Sequence, residues 1–170
     1  VENVINVKDC RWLRFEDLDI TSAGQGGGVD GVKFTAGSRS AWITFDGCRV
    51  HGLSGNGIAS QADHLEGLTV ASCEIDHVAG CGIYLGYPSN PPRIATRTRI
   101  VDCYLHDIAD PAQSGGYGIQ IKAFSDRARI ERNVLQRVGG RDRAAIALYY
   151  PDPAGRVAAE RWNLVRGNLL

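Results

Sequence analysis

Lys122 and Tyr149 each follow a short segment in which apolar residues alternate, Ile119-Gln120-Ile121 and Ile146-Ala147-Leu148. Ile83-Tyr84-Leu85 has the same form, and Tyr87 lies just beyond it. A period of two sends Ile83, Leu85, Ile119, Ile121, Ile146 and Leu148 into a core and turns their neighbours to solvent. The outward row expected from this parity includes Lys33, Ala59, Tyr84, Gln120, Lys122, Ala147 and Tyr149. Tyrosine faces stack on sugar rings, amides hydrogen-bond hydroxyls, and Lys122 with Arg141 and Arg143 can pair with carboxylates or sulfates. Tyr84, Tyr87, Gln120, Arg141 and Arg143 are accordingly the expected substrate-binding residues. Between Asp126 and Arg143 six arginines stand against three acids, a local positive bias on a chain of zero formal net charge.

Two other sets of reactive side chains compete with this row. His51, Asp76, His106 and Gln136 share one aligned position, and Gly52, His77, Asp107 and Arg137 share the next. Stacking would bring His106 and Asp107 within reach of Asp76 and His77, an arrangement able to transfer protons or hold a metal. Polar residues at a repeated corner are more often a solvated turn, and no metal ligands are assigned. Cys48, Cys73 and Cys103 fall at one inward position that Asn133 and Asn168 continue. A buried, reduced ladder accounts for them, since free cysteine packs as a small hydrophobe and asparagine can satisfy corner backbone groups. Cys10 and Cys81 lie off this position. Gly24 to Gly28 leads into no helix, so nucleotide binding is unsupported.

The elements that must position these side chains follow from a repeat. Six hexapeptides begin at Phe15, Phe45, Val70, Ile100, Ile130 and Val165, spaced 30, 25, 30, 30 and 35 residues apart. A period in this range is the signature of stacked-repeat architectures. Each hexapeptide has an apolar or small residue two positions before it in most copies, an apolar residue three positions after it (Ala23, Leu53, Val78, Ile108, Val138), and then a Gly-Ile type strand. Spacings of two mark strands and spacings of three mark corners, so each repeat is a coil of two or three short strands. No window sustains a helical spacing of apolar residues between the glycines. The expected fold is an all-β solenoid of about five to six coils in a single domain, 1–170, without internal boundary. Long insertions follow the strands at Tyr87-Pro88-Ser89-Asn90-Pro91-Pro92 and Tyr150-Pro151-Asp152-Pro153-Ala154-Gly155, and are expected to wall the outward row.

The hexapeptides and the Gly-Ile strands together resemble the right-handed parallel β-helix family, over essentially residues 12 to 170. That resemblance implies a right-handed parallel β-helix and a secreted or cell-surface, carbohydrate-active protein. In the alginate and chondroitin lyase branch of that family, a lysine base and an arginine project from successive coils beside a metal-assisted carboxylate site. Lys122 looks like that lysine, whereas Tyr149 stands where the arginine is expected. The resemblance thus implies polysaccharide lyase chemistry on a uronate-containing chain, with Lys122 and Tyr149 as catalytic residues. One of them removes the proton beside the carboxylate and the other protonates the leaving oxygen. It also implies calcium, Ca2+, as a cofactor, and an acidic polysaccharide or oligosaccharide as partner. The paired aspartates of the polygalacturonase branch are absent, and the outward row carries no pair of carboxylates for hydrolysis. The alternative reading is a non-catalytic β-helix segment, a structural spacer or carbohydrate-binding module of a larger surface or secreted protein.

Composition narrows the partners. The chain is 44% apolar and 22% charged, an ordinary soluble mixture, and has no apolar run near the roughly 18 residues that span a bilayer. Membrane insertion is not expected. Nucleic acid is not expected either, because the positive bias is local and no basic recognition helix is present. Stacked coils leave strand edges at both ends, so a longer β-helix or end-to-end contacts through uncapped coils are expected.

Overall fold

The computed structural model describes residues 3–22, 26–109, 116–149 and 162–170. Within them every regular element is a strand, and the strands pair in parallel with the coils before and after. One sheet has six strands, Ile5–Val7, Val32–Phe34, Ile58–Ser60, Ile83–Leu85, Ile119–Ile121 and Ile146–Leu148. A second has five, Asp19–Thr21, Arg49–Leu53, Glu74–Val78, Tyr104–Ile108 and Val134–Val138. The third holds the remaining eight and contains the starts of the hexapeptides, such as Thr69–Ala71 and Arg99–Val101. No helix is long and apolar enough to cross a membrane.

The register stacks like on like. Ile83 lies between Ile58 and Ile119, Ile75 between Val50 and Leu105, and Val70 between Phe45 and Ile100. All of these side chains are buried in one continuous core. Phe15 and Phe45 extend the stacking to aromatics, with ring centroids 4.7 Å apart. Leu148, which alternation sends inward, is 39% exposed, because its strand is the last of its sheet among the described residues.

The corners are built from single left-handed residues. The third position of every hexapeptide, Asp17, Gly47, Ser72, Asp102, Arg132 and Gly167, has φ between 52° and 65°. The column of Gly52, His77, Asp107 and Arg137 does the same, with φ from 49° to 62°. One left-handed residue turns the chain between two strands without a longer loop, and polar side chains there can bond to the coil above. Arg132 grips Asp102 with two hydrogen bonds of 2.7 and 2.8 Å, and Arg137 grips Asp107 at 2.6 and 2.8 Å.

The inward polar column behaves as the sequence predicts. Cys48, Cys73 and Cys103 are buried and unbridged. Asn133 accepts from the Cys103 backbone N–H at 3.0 Å and donates to the Ile100 carbonyl at 3.0 Å, and Asn168 repeats this toward Asn133 and Ile130. The hydrogen bonds satisfy backbone groups that the corner would otherwise leave unpaired inside the coil.

Candidate functional site

The six-stranded sheet places Lys122 and Tyr149 as consecutive members of one column. Ile121 pairs with Leu148, and the Tyr149 N–H donates to the Ile121 carbonyl at 2.9 Å. Gly86 precedes them, where a Cβ would meet the Lys122 carbonyl, so the backbone of the neighbouring coil closes tightly under this column. Tyr84, Gln120 and Ala147 form the adjacent column. A cavity of about 350 Å³ opens over both columns and is lined by Cys81, Tyr117, Gln120, Lys122, Arg143 and Tyr149, with Gly116 at its edge.

Solvent does not reach the whole row. Gln120 is only 3% exposed and Ala59 and Ala147 are buried, contrary to the expectation from alternation. The parity is right, but residues from the preceding turns cover the outer face. Cys81, Tyr117 and Ala147 form a small second apolar cluster with Tyr84 against it, and the Cys81 Sγ approaches the Gln120 Oε1 at 3.8 Å. Burial pushes the Cys81 thiol up, which keeps it protonated, and pushes the Tyr84 phenol up to about 12. Burial thus favours the neutral phenol of Tyr84, which forms a wall of the site.

Polar contacts organise the rest of the cavity. The Tyr117 and Tyr149 hydroxyls are 2.8 Å apart, and Arg143 Nη1 donates to the Tyr117 Oη at 2.9 Å while its guanidinium lies 5.3 Å from the ring centre. With its oxygen accepting from Arg143, Tyr117 has its own proton free to donate to Tyr149. The Lys122 ammonium sits 5.0 Å over the Tyr84 ring. Lys33, at the other end of the outward row, is neutralised by Asp30 at 2.7 Å, whereas Lys122 has no carboxylate partner among the described residues.

The structure thus brings together Lys122, Tyr149, Gln120, Arg143 and, through Lys122, Tyr84. It separates two others. Arg141 is exposed beside Asp142 at 3.8 Å, outside the cavity lining, and Tyr87 belongs to a hairpin in which Arg93 lies 5.7 Å from its ring centre. The second expected wall, 150–155, lies outside the described residues, as does Ala23. Tyr117 and Cys81 were not legible as site residues. Their only sequence signal is position, immediately before the Gly-Ile strands Gly118-Ile119 and Gly82-Ile83.

The histidine columns are in part the expected solvated turn, with Gly52, His77, Gln136 and Arg137 exposed, but Asp76 and His106 are not. Asp76 is 1% exposed and accepts from Arg49 at 3.1 and 3.4 Å, with His77 Nδ1 at 2.5 Å. His106 bonds Glu74 at 2.9 Å and Asp107 at 2.8 Å. Burial opposes the Asp76 charge, but the Arg49 and His77 hydrogen bonds outweigh it and hold this carboxyl below its usual range. Burial likewise works against a charged His106, and Glu74 and Asp107 reverse that and raise its pKa. Ligand atoms of Glu74, Asp76 and His106 lie within 4.8 Å of one another. The Arg49 guanidinium, 3.1 Å from Asp76 and 3.8 Å from Glu74, already supplies the cation these carboxylates need.

Neither place fits the calcium that the resemblance implies. Calcium takes six to eight oxygen ligands. The first cavity has no carboxylate among its described lining residues, and the second cluster offers two carboxylates with an arginine between them.

A third feature escaped the sequence reading. Trp12 and Trp42 stack across adjacent coils, with centroids 5.5 Å apart and planes 12° from parallel. Both have φ near 60°, in a corner column continued by Gly67, Arg97 and Arg127. Trp42 lies flat over Gly67, where a Cβ would strike its ring. The signal lay in the residue just before Leu13 and Ile43.

Stacked coils of short parallel strands, three sheets around one core, and an aromatic and cationic cavity on one sheet define a parallel β-helix protein. The chain belongs to the right-handed beta helix region family, whose pattern matches residues 3–150. No curated protein and no solved structure matches it.

Proposed function

We propose that this β-helix protein binds a uronate-containing polysaccharide across the Lys122–Tyr149 cavity and cleaves it by β-elimination, as a secreted or cell-surface lyase. The observation that carries this reading is a lysine without a carboxylate partner among the described residues, in the same column as a tyrosine whose hydroxyl lies 2.8 Å from that of Tyr117, to which an arginine donates. Tyr149 takes the proton from the carbon next to the carboxylate. It does so as the phenolate, which the hydrogen bond of Tyr117, polarised by Arg143, stabilises, and it becomes a neutral phenol on taking the proton. Lys122 gives a proton to the glycosidic oxygen as the carbon–oxygen bond breaks and the ring double bond forms. One proton is removed and one delivered, and no water is consumed. Tyr84 and Gln120 supply a ring face and a cavity wall, and no step needs a metal.

The test is absorbance of the unsaturated uronate over a panel of acidic polysaccharides. The wild-type protein is expected to generate it, Tyr149→Phe to lower kcat by about a hundredfold or more, and Lys122→Ala to do the same. Binding of these chains without any product, unchanged in both variants, would contradict the catalytic reading.

A further inference from the structure

A second cavity, of about 720 Å³, lies on the neighbouring corner of the coils and takes no part in the chemistry above. Its floor is Arg39, Asp63 and His64, and its wall is the loop carrying Ser89 to Arg93. This loop leaves the strand Ile83–Leu85 directly, and so continues from Tyr84, which Lys122 touches. The loop is closed as a hairpin: the Tyr87 N–H donates to the Arg93 carbonyl at 2.9 Å and the Arg93 N–H to the Tyr87 carbonyl at 3.0 Å. Ser89 Oγ donates to the Pro91 carbonyl at 2.7 Å. A wall tied by its own hydrogen bonds and stiffened by Pro91 and Pro92 is formed before any ligand arrives.

The charges of this cavity do not cancel. Arg93 rests on the Tyr87 ring, and its approach to Asp63 is 3.7 Å, too long for a hydrogen bond, so its N–H donors are not spent. The Arg39 guanidinium has no carboxylate partner among the described residues, although the Arg39 backbone N–H donates to Asp9 at 2.9 Å. Its Nη2 meets the Nδ1 of His64 at 3.5 Å, while the His64 Nε2 meets the Thr96 Oγ1 at 3.1 Å. Burial first, and then Arg39, lower the His64 pKa, so the ring is neutral and serves as an acceptor that orients the guanidinium. Among the lining residues two guanidiniums stand against the one carboxylate of Asp63, with Asp9, Glu66 and Asp126 outside the lining, and guanidinium forks match planar or tetrahedral oxyanions.

We infer that the Arg39–Arg93 cavity is an anion subsite for an acidic sugar residue, one flanking the bond that the Lys122–Tyr149 cavity would cleave. The choice of a sugar rests on the function proposed above, while the anion preference rests on Arg39 and Arg93 alone. Asn90 adds an exposed amide for hydroxyls, and Pro92 and Ile94 give a ring face an apolar surface.

The experiment is NMR titration of the arginine and histidine side chains with monomeric galacturonate, galactose and inorganic sulfate. Galacturonate is expected to shift the Arg39, Arg93 and His64 signals saturably, and galactose to leave them in place. Arg39→Gln, with an unchanged melting temperature, is expected to weaken this binding about tenfold, and Arg93→Gln to act in the same direction. Competition by sulfate at a lower concentration than galacturonate assigns the anion to a sulfate ester; the reverse order assigns it to a uronate carboxylate. Lys122→Ala is expected to retain the shifts, so loss of the lyase reading and loss of this subsite are read separately. Absence of saturable shifts, equal shifts with galactose, or full affinity in Arg39→Gln would overturn the inference.

Discussion

Asp76 and His106 show how far a residue's surroundings outrun its place in the repeat. The alignment put both in one column, yet only the folded chain reveals that Asp76 is sealed from water and held by Arg49 and His77. Depth was not legible because Arg49 arrives from another coil. Gln120 and Cys81 make the same point: the alternation around Gln120 is right, but its amide is buried against the Cys81 thiol, which no local pattern announces. Lys122 and Tyr149 were legible because strand parity and coil register alone bring them together. The raised His106 pKa has a sign that can be tested. Stability contributed by charged His106 is full below the unfolded value, about 6.5, and is lost as pH rises through the higher folded value. The melting temperature of the wild type minus that of His106→Gln should therefore fall as pH rises above about 6.5. A difference independent of pH would show that His106 carries no pairing of this kind.

At the scale of the element, the Gly-Ile strand explains its own glycine. A Cβ on Gly31, Gly57, Gly82 or Gly118 would lie 2.5 to 2.7 Å from the carbonyl oxygen of the equivalent residue one coil on. At Gly82 it would also press Leu105 Cδ2 at 3.0 Å. Neither a stacked backbone nor a filled core yields easily, so Gly82→Ala is expected to cost about 2 kcal/mol in chemical denaturation. An unchanged midpoint would mean that the coils can separate locally. The glycine was visible in the sequence as a recurring letter. Its reason was not, because the clash is with a residue about 25 to 36 positions away. The left-handed corners were similarly implied by spacings of three, whereas the Trp12–Trp42 stack at one of them was invisible to a reading that tracked only the apolar positions.

For the whole molecule, the core is one column of side chains running the length of the stack, so damage to a central coil should propagate. Ile119 is fully buried, and Ile119→Asp places an unpaired charge between coils. Loss of the folded circular dichroism signal and of soluble protein is expected, and a native-like spectrum would overturn the assigned strand parity. The repeat made this architecture readable at once, since it recurs six times in the chain. The site was less readable, because it lies where coils differ and is finished by turns that do not follow the repeat. The rigid stack presents two cavities from neighbouring faces, one with Lys122 and Tyr149 and one with Arg39 and Arg93. The most direct test of the central claim is the mass balance of products formed from a defined uronate oligosaccharide. Elimination at Lys122 and Tyr149 predicts two products whose masses sum to that of the substrate, one of them unsaturated, and predicts their loss in Lys122→Ala. Products heavier by one water, or cleavage that persists in Lys122→Ala, would contradict it.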